Sequence, residues 1–129
     1  MTHPTLSVWI VDDDAAFSWI LELAVRRQGA TAGSFKSTEL ALEAFRTGKP
    51  DVLMTDIRMP GQSGLGLLKK LRVIAPTLPV LVMTANPDLD SAVDAYESGA
   101  FEYLAKPFEI DPAIRLVLRA ACLALHTSE

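Results

Sequence analysis

The 129-residue chain contains a single cysteine, Cys122, so it cannot be built on a disulfide framework. No apolar run approaches the roughly 18–20 residues that a helix needs to cross a bilayer. The first residues lack the cationic and apolar segments of a secretory signal, so the expected location is cytoplasmic. Acidic residues outnumber basic ones, with 16 Asp and Glu and 12 Lys and Arg, so this chain is not expected to bind nucleic acid.

The chain does have enough apolar sequence for one folded unit. Half of its residues are hydrophobic and 22% are charged, which is typical of a globular protein. A chain of this length buries roughly two-thirds of its unfolded surface, so it can fold without metal or disulfide cross-links. No internal repeat and no Gly/Ser linker divides the sequence. We therefore predict a single domain over residues 1–129.

Short apolar runs alternate with amphipathic stretches along the sequence. Three runs lack the alternation of a half-exposed strand and predict strands buried on both faces, as in a parallel sheet. They cover residues 8–11, 52–55 and 80–83. Two weaker strands are predicted at residues 31–35, which Gly33 interrupts, and at residues 101–104.

Helices are predicted after each strand, over residues 15–28, 38–47, 65–73 and 87–98, with a fifth at the end of the chain. Good N-cap residues precede four of them: Asp14, Ser37, Asn86 and Asp111. Five strand–helix units in succession predict an α/β fold, a (βα)5 doubly wound parallel sheet with helices on both faces. Ligands of such sheets bind beyond the carboxyl ends of the strands.

Polar side chains follow the predicted strands at that edge: Asp12 and Asp13 after the first, Asp56 after the third, Thr84 after the fourth and Lys106 after the fifth. Three neighbouring carboxylates repel one another and favour a hard divalent cation such as Mg²⁺. A lysine ammonium and a threonine hydroxyl can bind phosphoryl oxygens. The residues predict a cation and phosphate site, in which Asp56 is the nucleophile that forms an aspartyl-phosphate.

Four segments, in this order, resemble the receiver domain of bacterial two-component response regulators over essentially the whole chain. They are VDDD at 11–14, TDIRMPG at 55–61, MTA at 83–85 and YLAKPF at 103–108. Within that family the chain is most similar to the nitrogen regulatory protein C (NtrC) type, through Trp19, the sequence around Asp56, and residues 88–101. The resemblance implies a flavodoxin-like, five-stranded sheet with the strand order 2-1-3-4-5.

The resemblance also assigns roles to individual residues. It implies that Asp56 is the phosphoacceptor, and that Mg²⁺ is held by Asp12, Asp13, Asp56 and the backbone carbonyl of Arg58. Three further residues would respond to the phosphoryl group: Thr84 and Lys106 through direct contact, and Tyr103 through an inward movement of its ring. The Lys106–Pro107 peptide is expected to be cis.

The function implied by the resemblance is a phosphorylation-controlled signalling module that is not a turnover enzyme. A sensor histidine kinase would donate the phosphoryl group to Asp56. The surface of the fourth helix, fifth strand and fifth helix would then switch, control an effector, and offer a face for homodimer formation. For an NtrC-like regulator, the effector would be an ATPase and a DNA-binding domain in a longer chain that regulates transcription.

Two alternatives stay open at this point. A phosphohydrolase of the haloacid dehalogenase type also uses Asp, Thr or Ser, and Lys, but it places an acid/base carboxylate two residues after the nucleophile, where this chain has Arg58. A receiver that binds partners without phosphorylation would lack the acceptor, an acid or the lysine, and none is missing. Elsewhere, Trp9 and Trp19 are expected to pack between helix and sheet, and Cys122 to be buried or half-buried on the last helix.

Overall fold

The structure is a computed structural model that describes residues 5–59 and 61–127. Residues 1–4, Pro60 and residues 128–129 belong to the predicted domain but lie outside the described residues. The described strands are β1 (Ser7–Val11), β2 (Thr31–Phe35), β3 (Val52–Asp56), β4 (Val80–Thr84) and β5 (Glu102–Ala105). The helices are α1 (Ala15–Arg27), α2 (Thr38–Ala44), α3 (Gly64–Ile74), α4 (Leu89–Glu97) and α5 (Ile110–Thr127).

The five strands form one parallel sheet in the order β2-β1-β3-β4-β5, which confirms the predicted α/β fold and its strand order. All residues of β3 and β4 are buried, in agreement with the mostly apolar sequences that predicted strands inside the sheet. The register aligns the carboxyl ends of neighbouring strands, so that Val11 lies opposite Thr55, and Thr84 opposite Ala105. The polar residues that follow these strands therefore share one edge of the sheet.

Two apolar layers fix the sheet between its helices. The layer on the side of α1 and α5 includes Leu21, Val25, Ile114 and Val117, packed on Ile10, Met54 and Leu81. The layer on the side of α2, α3 and α4 includes Ala41, Leu67, Leu71 and Ala95, packed on Leu53 and Val82. Each fully buried Leu or Ile contributes about 1.5–3 kcal/mol by leaving water. Successive strand residues thus supply opposite faces of a sheet that both layers hold in place.

The helix starts follow the predicted caps in two cases and differ in two. Asp14 and Ser37 cap α1 and α2 through side-chain acceptors, as predicted. The cap of α4 is Asp88, whose Oδ1 accepts from the Ser91 amide at 2.7 Å, whereas Asn86 lies in the loop before the helix, where its backbone amide donates to Thr84 Oγ1 at 3.0 Å. Helix α5 begins at Ile110, so Asp111 lies inside its first turn, where the proline that follows it is tolerated.

Two packing predictions are wrong. Trp19 is 59% exposed, and Cys122 is exposed on α5. Each residue directly follows a buried one, Ser18 and Ala121, and lies about 100° further round its helix. Trp9 does pack as predicted, half-buried between two phenylalanine rings. No helix in the described part of the chain is both long and apolar enough to cross a membrane.

Candidate functional site

The candidate site is the edge of the sheet where β1 and β3 end. One carboxylate oxygen from each of Asp12, Asp13 and Asp56 lies within 4.8 Å of the others. Asp12 is 1% exposed and Asp56 is 9% exposed, whereas Asp13 lies at the surface. The structure therefore brings together the three acids predicted from the sequence, two of them buried and one facing solvent.

Lys106 joins the two buried acids. Its Nζ lies 2.8 Å from Asp12 Oδ2 and 3.0 Å from Asp56 Oδ2. The backbone amide of the lysine donates to the Thr84 carbonyl at 2.7 Å, which places Lys106 next to the end of β4. Its peptide bond to Pro107 is cis, as predicted. Asp12 and Asp56 thus share the ammonium group of a lysine that lies 94 and 50 positions further along the chain, respectively.

Burial and charge act in opposite directions at this ion pair. Burial raises the pKa of the Asp12 carboxyl above its usual 3.8, although hydrogen bonds from Lys106 and from the Asp14 amide oppose the rise. Burial alone would lower the pKa of Lys106, but its hydrogen bonds to Asp12 and Asp56, and their charges, raise it above 10.5. The lysine is therefore charged at neutral pH.

The donor atoms of the acidic cluster fit a hard divalent cation. All three side chains offer carboxylate oxygens, the ligands that Mg²⁺ prefers in proteins. Lys106 supplies one positive charge against three carboxylates, so a divalent cation would compensate the remaining two negative charges. The acidic cluster could therefore bind a metal ion.

Backbone groups of the loop after β3 fix the position of Asp56. The Arg58 amide donates to Asp56 Oδ1 at 3.2 Å, and the Gly64 amide donates to the Ile57 carbonyl at 2.9 Å. A Cβ at Gly64 would lie only 2.0 Å from the Asp56 carbonyl oxygen. Only glycine allows α3 to start this close to the end of β3. Sequence reasoning missed this contact, and its signal is a glycine at the first position of a helix.

Thr84 ends β4, next to the strand that carries Asp56, and Tyr103 lies on β5; the hydroxyls of both side chains are hydrogen-bonded to residues at or just before α4. The buried Thr84 hydroxyl accepts a hydrogen bond from the Asn86 amide, which leaves its proton for donation. The Tyr103 hydroxyl lies 2.6 Å from Ser91 Oγ and accepts from the Asp88 amide at 3.3 Å. No pattern in the sequence predicts Ser91 as the partner of Tyr103. Both predicted switch residues are thus connected to the start of α4.

Comparison with protein families gives a match to the response regulator receiver domain over residues 8–118. The chain is 53% identical over 113 residues to the DNA-binding transcriptional regulator NtrC of Escherichia coli (strain K12), covering 88% of this chain and 24% of that protein. It is 34% identical over 114 residues to the C4-dicarboxylate transport transcriptional regulatory protein DctD of Rhizobium meliloti (strain 1021), covering 88% of this chain and 25% of that protein. The chain thus spans about a quarter of the length of these relatives.

Solved structures agree with these matches. The solution structure of the apo receiver domain of nitrogen regulatory protein C is 49% identical, with a TM-score of 0.83, and the alignment covers 96% of this chain and 98% of that one. A CheY-like receiver domain protein from Methanospirillum hungatei JF-1 has a TM-score of 0.91 at 19% identity, covering 96% of this chain and 99% of that one, and shows the fold alone.

Proposed function

The chain belongs to the response regulator receiver domain family and is NtrC-like, and we propose that it is a phosphorylation switch whose phosphoacceptor is Asp56. The observation that carries the proposal is the ion pair in which Lys106 joins Asp56 to Asp12. It places a nucleophilic carboxylate, an ammonium and an acidic cluster at one point of the sheet edge. These are the groups that phosphoryl transfer to a carboxylate requires.

In the proposed transfer, one carboxylate oxygen of Asp56 bonds to the phosphorus of a phosphohistidine on a sensor histidine kinase. The P–N bond breaks, and its electron pair stays on the imidazole nitrogen. Lys106, already 3.0 Å from Asp56, then moves its hydrogen bond from the carboxylate to a phosphoryl oxygen. The Thr84 hydroxyl donates to another phosphoryl oxygen. Hydrolysis reverses the modification, since a water oxygen bonds to phosphorus and the carboxylate leaves.

Asp12, Asp13 and Asp56, with the backbone carbonyl of Arg58, would hold Mg²⁺. When bound, this ion supplies positive charge to the oxygens of the phosphoryl group. The oxygen donor set supports Mg²⁺, and the two uncompensated negative charges support a divalent ion. The domain promotes its own modification but does not turn over a substrate.

The switch would pass from the site to α4, β5 and α5. Withdrawal of the Thr84 hydroxyl towards a phosphoryl group vacates space that the Tyr103 ring can enter, which breaks the hydroxyl contacts to Ser91 and Asp88. Helix α4 exposes apolar side chains that a partner could cover: Leu89, Val93 and Tyr96. A homodimer contact through this face fits the proposal.

The relatives suggest what the switch controls. Since they are about four times longer than this chain and are DNA-binding or transcriptional regulators, residues 1–129 would act as the receiver domain of a longer cytoplasmic regulator. Its effector would be an ATPase and a DNA-binding domain. This domain itself would bind neither nucleic acid nor membrane.

The test is intact mass after incubation with acetyl phosphate, with and without Mg²⁺. We expect a Mg²⁺-dependent gain of one phosphoryl group, absent in Asp56→Asn and retained in Asp90→Asn, which changes an exposed aspartate on α4. A phosphoryl group on Asp56→Asn, or none on the wild-type chain, would refute the assignment.

A further inference from the structure

The ammonium of Lys106 is covered by an aromatic ring from α1. Its Nζ lies 4.4 Å from the centroid of Phe17, within the range in which a cation is attracted to the face of a ring. The lysine side chain is only 16% exposed, so this attraction acts in a site with little water to screen it. The ring therefore forms part of the binding site of the ammonium.

The ring is held in place from two sides. Its backbone is fixed by the α1 cap, because the Phe17 amide donates to Asp14 Oδ1 at 3.0 Å. Its edge meets the ring of Phe108, with centroids 5.7 Å apart and the planes at 77°. Both rings pack against the apolar layer under α1 and α5. Phe17 is thus a supported surface against which the lysine rests.

The arrangement gives the ammonium three neighbours for its three N–H groups. Two hydrogen bonds go to Asp12 and Asp56, and the ring of Phe17 lies on a further side. A lysine has a flexible four-carbon stem and no preferred geometry of its own. Without the ring, water would bind the third N–H, and the ammonium could turn away from Asp56.

We propose that Phe17 is a positioning residue for phosphoryl binding, holding Lys106 where it meets a phosphoryl group on Asp56. This inference rests on the proposed function of the same site. It predicts that loss of the ring weakens the binding of a phosphoryl group while leaving the acidic cluster intact, because the ring faces the lysine ammonium.

The probe is beryllofluoride, a phosphoryl analogue, titrated by calorimetry into the domain in the presence of Mg²⁺. Phe17→Leu removes the aromatic face and keeps an apolar side chain, whereas Phe17→Tyr keeps the ring. Phe45→Leu is the matched control, since Phe45 is a half-buried ring in an edge-on pair with Trp9 and is not part of the site. Mg²⁺ alone is titrated into each variant to report on the acidic cluster.

We expect Phe17→Leu to weaken beryllofluoride binding about threefold to tenfold, the size of a partly buried cation–ring contact. Phe17→Tyr and Phe45→Leu should stay within twofold of the wild-type chain, and Mg²⁺ affinity should not change. In a Lys106→Ala background, Phe17→Leu should have no further effect, because the ring acts through the lysine.

Equal beryllofluoride affinity in Phe17→Leu and the wild-type chain would overturn the positioning role and leave the proposed function intact. Equal losses in Phe17→Leu and Phe45→Leu would also overturn it, because the effect would then be one of general packing. Failure of the wild-type chain to bind beryllofluoride would instead refute the proposed function, and the positioning role with it.

Discussion

Replacement of Gly64 by alanine should disturb the site more than any other single added methyl group. The new Cβ would lie 2.0 Å from the Asp56 carbonyl oxygen, 2.8 Å from its carbonyl carbon and 3.0 Å from Thr55 Oγ1. Non-bonded carbon atoms sit about 3.5–4.0 Å apart at their optimum. The ends of β3 and α3 must therefore separate by more than an ångström, which breaks the Gly64–Ile57 hydrogen bond.

The free energy of unfolding should fall by about 2–4 kcal/mol. Overpacking of this kind costs about 1–3 kcal/mol, and the lost hydrogen bond adds about 1 kcal/mol. With an unfolding entropy of about 2.1 cal/mol/K per residue, that loss lowers Tm by about 7–15 °C. Circular dichroism with urea and with heat measures both quantities.

Gly48→Ala is the matched control, because nothing lies within 4 Å of a Cβ at Gly48. We expect its Tm to stay within a few degrees of the wild-type value. Gly64→Ala should also slow phosphorylation by acetyl phosphate, since Asp56 moves with its backbone. Equal stability of Gly64→Ala and Gly48→Ala would refute the reasoning that α3 starts in contact with the backbone of Asp56 at the end of β3.

Three further predictions follow from the charges of the site and the cap of α1. Because the pKa of Lys106 in the folded state is raised by its bonds to Asp12 and Asp56, its contribution to stability is fully present below pH 10.5 and is lost as the pH rises through the folded pKa. In urea titrations from pH 9 upward, the free energy of unfolding should therefore fall less steeply with pH in Lys106→Met than in Lys36→Met, the control at an exposed site. Mg²⁺ should raise the Tm of the wild-type chain in proportion to the logarithm of its concentration, and Asp12→Asn should remove most of this rise; an equal rise in both would exclude Asp12 as a ligand. Asp14→Ala should lower the free energy of unfolding by about 1 kcal/mol through loss of the cap, and an unchanged urea midpoint would contradict this.

Much of the fold could be predicted because segments that are buried in the sheet have apolar sequences. The strands β3 and β4 lie inside the sheet, so they begin with apolar runs, and the polar residues that end them mark the candidate site's edge of the sheet. Parallel topology then brings Asp12, Asp56 and Lys106 together although they are up to 94 positions apart. The resemblance to receiver domains drew on the same residues.

Other features depend on geometry that the sequence does not carry. The sequence alone does not decide the start of α4, because Asn86 and Asp88 are both good cap residues, and in the structure it is the Asp88 side chain that accepts from the Ser91 amide. The need for glycine at position 64 depends on how closely the start of α3 approaches the Asp56 carbonyl, which leaves no room for a Cβ. The cover of Lys106 by Phe17 depends on side-chain direction. A helix-start glycine and an apolar helix residue give no such information.

The position of β5 at the edge of the sheet separates the site into two parts of different local stability. Strand β5 has four residues, pairs with β4 alone and is half-exposed, whereas β3 is paired on both sides and fully buried. Its backbone amides should therefore exchange with deuterium through local openings, while those of β3 exchange only when the whole domain unfolds. Asp56 would then stand on a slowly exchanging strand, whereas Tyr103 lies on a faster-exchanging one and Lys106 directly follows it. If Asp56 is the phosphoacceptor, as proposed, this arrangement would keep the acceptor fixed while β5 rearranges.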